Sequence, residues 1–232
     1  MKALLKGILL LGLAAMTMLS LAAEYKIGRT TVVLTEGNWV VISENDAGTN
    51  YTGDVSGTIP AQNKWLALVD GSSQVLALAG LRASGGAIGG AKMTWGDRCK
   101  PQQNQTYHYD ATRGSLDALD CERSWESVNM EAWLKRVTPK SMEIINQKGY
   151  KLPAKAVQFR HDIGTQNGTF INSTIFLTTN FEGLPSGEKP LGAASGREEL
   201  AHWLDAYAAA ARSSTRSFSG NLVMPAINFS NK

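Results

Sequence analysis

The pattern begins with an uncharged, mostly apolar run from Gly7 to Ala23 behind Lys2 and Lys6, densest over Ile8 to Leu13 and closing on Ser20-Leu21-Ala22. A basic start, a short apolar middle and small residues at a cut site are the plan of a secretory signal peptide. Residues 1–22 are therefore expected to be a leader, cut after Ala22 or Ala23. The run also touches the lower length limit for a membrane span. A retained anchor is the competing reading, weakened by Thr17 and Ser20.

Beyond the leader, Arg29 to Thr35 and Trp39 to Ser43 are β-branched runs separated by Glu36-Gly37-Asn38, which predicts a hairpin. Neither run alternates cleanly, so both faces of this sheet should be covered. Glu44 to Asn63 is rich in Asn, Asp, Gly and Thr and reads as a long loop, a candidate lid or binding loop, with a plain surface excursion or a short edge hairpin through Tyr51 to Ile59 as the competing readings. Trp65 to Val69 and Gln74 to Ala83 flank Asp70-Gly71-Ser72-Ser73 as a second hairpin, and Lys92 to Trp95 reads as a short strand. A third hairpin is expected from Ala156 to Ile163 and Thr169 to Thr179. Its first strand alternates, with Val157, Phe159, His161 and Ile163 on one face and Gln158, Arg160 and Asp162 on the other.

Helical spacing appears in the middle and near the end. Met130, Trp133, Leu134 and Val137 mark one helix, and Thr138-Pro139 opens a second that turns Met142 and Ile145 inward and stops near Gly149. Ser195-Gly196-Arg197-Glu198 is a capping box ahead of the stripe Leu200, Trp203, Leu204, Tyr207, Ala208 and Ala211. A loop over Glu182 to Ala194 precedes it, and Leu222 to Met224 reads as an added edge strand or docked arm. The expected architecture for residues 23–232 is one α+β domain, a largely antiparallel sheet of about three hairpins covered by two short middle helices and a C-terminal helix.

Charge excludes some partners. The chain has 23 Lys and Arg against 20 Asp and Glu; losing Lys2 and Lys6 with the leader leaves 21 against 20, a net charge of +1. No basic run follows, so neither nucleic acid nor an anionic membrane surface is an expected partner, and the membrane enters only through a retained leader. The only cysteines, Cys99 and Cys121, are expected to form a disulfide in an oxidising compartment.

The search for chemistry is less productive. Ser84 to Lys92 is glycine-rich but lacks the spacing of a phosphate or dinucleotide loop. Asp97, Asp110, Asp117 and Asp120 crowd the disulfide loop without the alternation of a calcium site, and His108, His161 and His202 lack zinc-ligand spacing. No metal or cofactor is expected. Gly-x-Ser-x-Gly does not occur to single out a serine nucleophile. Six tryptophans, Trp39, Trp65, Trp95, Trp125, Trp133 and Trp203, are assigned mainly to the core, Trp125 at the loop edge being the least secure.

The expected function is an exported periplasmic or secreted binding or accessory module without catalysis. It would meet another envelope protein or an envelope ligand through Glu44 to Asn63 and the disulfide-closed loop. An exported hydrolase with His108 or His161 as general base is the alternative; a structural or inhibitory subunit, which would expose a large apolar patch, is the third reading.

Overall fold

Alternating and β-branched segments pair into two sheets, and helices cover what remains apolar. The computed structural model describes residues 22–34, 37–53, 57–87, 89, 92–178, 198–217 and 220–227, with the backbone alone at 51–53, 97 and 198–201. In chain order the elements are β1 (Ala23–Ile27), β2 (Thr30–Leu34), β3 (Trp39–Gly53), β4 (Gly57–Val69), β5 (Val75–Ser84), β6 (Met93–Thr94), a 3₁₀ turn (Gly96–Cys99), β7 (Tyr107–Asp110), β8 (Leu119–Val128), α1 (Met130–Val137), α2 (Pro139–Gln147), β9 (Ala156–Gly164), β10 (Phe170–Thr178), α3 (Glu198–Arg216) and β11 (Asn221–Met224). Residues 1–21 of the expected leader, the Glu182 to Ala194 loop and the capping residue Ser195 lie outside the described residues.

An eight-stranded sheet runs β6-β3-β4-β5-β10-β9-β8-β7, and a three-stranded sheet runs β1-β2-β11. The α+β architecture holds, with two of the three expected hairpins: β4 with β5 and β9 with β10. The first is overturned. β2 pairs antiparallel with β1 and parallel with β11, while β3 joins β4 in the other sheet. The physical reason is a strand with a weak apolar signal just after the expected cut site: β1 alternates half-buried and exposed residues, and Gly28 supplies the positive φ for the turn into β2.

Glu44 to Asn63 is likewise not one long loop: the edge-hairpin alternative holds and extends further, on either side of residues 54–56, which lie outside the described residues. Its two halves are the paired ends of β3 and β4, in register from Glu44 opposite Lys64 to Tyr51 opposite Gly57. Cross-strand polar pairs replace the apolar pairs expected of a strand: Lys64 Nζ lies 2.7 Å from Glu44 Oε2, Gln62 Nε2 donates to Asp46 Oδ1, and Thr58 Oγ1 donates to Asn50 Oδ1. Pairing with β5, from Ala61 opposite Ser84, holds β4 in place where side-chain propensity is weak.

The eight-stranded sheet has two differently covered faces. Its inner face, with Leu66, Leu68, Ala79, Phe159, Ile163, Ile171 and Ile175, packs on the small sheet and on Leu204, Tyr207 and Ala211 of α3. Part of the outer face packs under α1 and α2 through Ala67, Leu78, Phe176, Met130, Leu134 and Ile145. Asn129 caps α1 by accepting from the Ala132 N–H at 2.8 Å, and Ser43 Oγ lies 2.6 Å from Ser141 Oγ, tying β3 to α2. The other end of the outer face is capped by Ile59, Ala61, Trp95, Leu119 and Phe170 beside the Cys99–Cys121 disulfide.

Two glycines make room for tryptophan rings in these layers. A Cβ at Gly80 would stand 2.4 Å from the ring of Trp65, and one at Gly164 would stand 2.2 Å from that of Trp95. Gly164→Ala should therefore destabilise the protein by about 1–3 kcal/mol through overpacking. Gly71→Ala, with no neighbour within 4 Å, should leave stability equal or slightly higher, as read by urea unfolding. Replacing both cysteines by serine should lower stability by about 3 kcal/mol in the same assay, since the bridge spans a separation of 22 residues.

Candidate functional site

Two polar constellations interrupt the apolar faces, one on each side of the eight-stranded sheet. The inner one follows from alternation in β8, which turns Asp120, Glu122 and Ser124 inward while Cys121 and Arg123 face outward. Glu122 stands opposite His161 of β9, which in turn stands opposite Ser173 of β10. From α3, Arg212 and Tyr207 reach the same place. His161 Nε2 lies 3.1 Å from Asp120 Oδ1, Arg212 Nε donates to Asp120 Oδ2 at 2.8 Å, and a terminal nitrogen of Arg212 donates to both Asp120 Oδ1 and Glu122 Oε1. The Tyr207 and Ser173 hydroxyls bond to each other.

The two carboxylates respond differently to one environment. Burial raises the Asp120 pKa, but the hydrogen bonds and charges of His161 and Arg212 outweigh it and hold this carboxyl at about 2. Glu122, more deeply buried, is pushed up by desolvation that His161 and Arg212 only partly offset. Burial also raises the Tyr207 hydroxyl, whereas the partnership with Asp120 and Glu122 overcomes burial and raises Arg212.

Asp120, Glu122 and His161 bring ligand-type atoms within 4.8 Å of one another, a set the sequence spacing does not announce. The set does not suit a metal ion. The Arg212 guanidinium already bonds both carboxylates and supplies the positive charge that an ion would bring. Beside the cluster Ser173 Oγ bonds the Tyr207 hydroxyl, and His161 is 0% exposed. Physically, the cluster is a clamp between α3 and the sheet.

The remaining sequence candidates are dispersed. On β7, His108 bonds through Nε2 to the Cys99 carbonyl at 2.6 Å and so holds the disulfide turn; His202 is exposed on α3. Asp110 accepts from the Thr112 and Gly114 N–H groups and shapes the turn after β7, while Asp117 is exposed. The tryptophans largely pack: Trp65 and Trp133 meet edge to face, Trp203 stacks on Tyr207, and Trp95 and Trp39 are buried. Half-buried Trp125 donates to the Gln103 carbonyl and steadies the disulfide loop.

The outer constellation was only partly legible. The alternation of Gln158, Arg160 and Asp162 placed them on one face, but register shows what they join. One row crosses seven strands through Asn45, Asn63, Arg82, Asn172, Asp162, Cys121 and Asp110. The adjoining row carries Thr174, Arg160, Arg123 and His108. Together they form a polar band between the helix-covered end of the outer face and the Trp95 end.

At the centre of this band is Asp162, which accepts from Arg160 Nε at 2.8 Å, Arg123 at 3.1 Å and Asn172 Nδ2 at 2.9 Å. Arg123 also donates to the Arg98 carbonyl, fastening the disulfide turn to the sheet. Where the disulfide loop overhangs this band lies a groove of about 350 Å³, lined by Arg98, Lys100, Pro101, Gln102, Arg160, Asp162 and Asn172. A second, more neutral cleft of about 650 Å³ runs along the β3–β4 hairpin beside Asp46, Gln62 and Gly85.

The inner clamp predicts an acid limb. Because the folded Asp120 pKa is depressed, its contribution is complete above the unfolded value near 4 and is lost as pH falls toward 2, a change of roughly 2 kcal/mol. Glu122, raised by folding, contributes with the opposite sign as pH rises. Asp120→Asn should lower stability at neutral pH and flatten the loss between pH 4 and 2, measured by urea unfolding across that range. An unchanged acid limb would rule Asp120 out as its source.

No protein-family model matches the chain, and no curated protein or solved structure matches it, so its chemistry is read from its own residues.

Proposed function

We propose that this chain is an exported, non-catalytic binding module whose ligand enters the groove between the disulfide loop and the polar band. One observation carries the reading: accessible Arg98, Lys100 and Gln102 overhang a sheet surface whose own polar groups, Arg160, Asp162 and Asn172, are held in fixed register. Binding groups on a loop that is pinned to a rigid scaffold are the usual construction of a recognition site. The pinning is threefold, through the disulfide, His108 to the Cys99 carbonyl and Arg123 to the Arg98 carbonyl.

Export is supported by the leader pattern and the disulfide, and no described helix is long and apolar enough to cross a membrane. The periplasm or the extracellular space is the proposed location. The hydrolase alternative keeps one favourable observation, the His161–Asp120 contact, but Arg212 and burial leave that pair no described access for substrate. A structural or inhibitory subunit is less well supported, since among the described residues Val41, Leu116, Val137 and Val223 are the large exposed apolar side chains and they stand on four separate segments.

The mature protein should show a saturable rise in melting temperature when titrated with the small-molecule fraction of a native envelope extract. Gln102→Trp, which fills the groove from its exposed rim, should abolish the rise while leaving the unliganded melting temperature within about 2 °C, as expected of a surface change. A wild-type protein that never responds would overturn the proposal. Ester hydrolysis lost in His161→Gln would replace it with the hydrolase.

A further inference from the structure

The composition of the groove is more specific than its shape. Among its lining residues, Arg98, Lys100 and Arg160 are cationic and Asp162 is the one carboxylate. Two further guanidinium groups belong to the same band, Arg82 and Arg123. A mature chain of net charge +1 has thus gathered five cations on one small part of one face. A cleft lined by one sign of charge focuses the field and raises the local concentration of the opposite ion.

Internal neutralisation is incomplete. Asp162 bonds both Arg160 and Arg123, and Asp110 at the β7 edge of the band adds the one other negative charge that acts on Arg123, so two carboxylates answer five cations among the described residues. Arg98 lies 5.4 Å from the centre of the Trp95 ring and Arg82 lies 5.8 Å from that of Phe170. These faces orient the guanidinium planes without cancelling their charge. The Arg123 side chain is 1% exposed, yet its Nε–H has no partner, and the Nε–H of Arg82 is in the same condition. Burial first, and then the charge of nearby Arg98, pull Arg82 below its ordinary pKa.

We infer that the groove binds a multivalent oxyanion, a phosphate group carried by a small soluble molecule or by a lipid headgroup. Guanidinium groups match the paired oxygens of such an anion, and exposed Lys100 adds positive charge at the rim. The volume of about 350 Å³ is at the lower end of small-molecule sites, which suits a compact anionic group better than an extended polymer. The inference rests on the groove being a binding site and names the chemistry that the site selects.

The test is calorimetric titration of the mature, disulfide-bonded protein with inorganic pyrophosphate, and with inorganic phosphate, at constant ionic strength set by chloride. Saturable one-to-one binding is expected, with at least a tenfold loss of affinity in Arg160→Met. Because Arg160 also holds Asp162, the exposed pair Arg98→Met/Lys100→Met provides the second variant and should lose affinity as strongly while melting as the wild type does. Heat that does not saturate, or a double variant that binds like the wild type, would overturn the inference. Phosphatidylglycerol vesicles that displace pyrophosphate would place the phosphate on a lipid, and vesicles that fail to displace it would place it on a soluble ligand. Pyrophosphate binding without any response to envelope extract would sink the wider binding reading and spare the anion chemistry. The reverse result would do the opposite.

Discussion

Both faces of the eight-stranded sheet must be shielded from water over most of their area, and the organisation of this protein follows from how unevenly that is done. The inner face is closed by a second sheet and α3. The outer face is closed twice, by α1 and α2 at one end and by the Trp95 cluster beside the disulfide at the other. Between the two covers the strands change from apolar to polar side chains, and each of those polar groups must find a partner or meet water. The groove is that gap, narrowed by the disulfide loop.

The inner polar cluster solves a different problem. Asp120, Glu122 and His161 project into an otherwise apolar layer, where unpaired charge would be strongly destabilising. Arg212, entering from α3 with its side chain 25% exposed, compensates both carboxylates, so the position of α3 is fixed by charge as well as by the packing of Leu204, Tyr207 and Ala211. The geometry of Asp120, Glu122, His161 and Arg212 ties α3 to the sheet. The outer band lacks such a complete solution: its excess cations remain, some in reach of solvent.

How much of this was legible depended on whether neighbouring residues or distant ones supply the stabilisation. The α1–α2 pair could be read because Thr138-Pro139 and the apolar stripes are local signals, and the β9 alternation could be read because its two faces differ in polarity. The ends of β3 and β4 could not, since polar side chains there pair across strands and the backbone partner lies up to about twenty residues away. The first hairpin failed for a related reason. Thr30 to Leu34 is equally suited to several partners, and the choice of β1 and β11 is made by the packing of Val32 and Leu34 against α3 and the sheet.

By itself the sequence determined the α+β class, the two middle helices, two of three hairpins and the cysteine pair, because periodicity, capping and turn chemistry act over a few residues. Tertiary structure alone decided which strands lie side by side, and therefore which side chains meet. Arg82, Arg98, Arg123 and Arg160 are separated by loops, strands and helices in the chain, yet strand order and the disulfide bring them to one band. No local pattern encodes that meeting. It arises when long-range backbone pairing sets the register of β5, β10, β9 and β8 at once, which is also what brings His161 to Asp120 and Arg212 in the core.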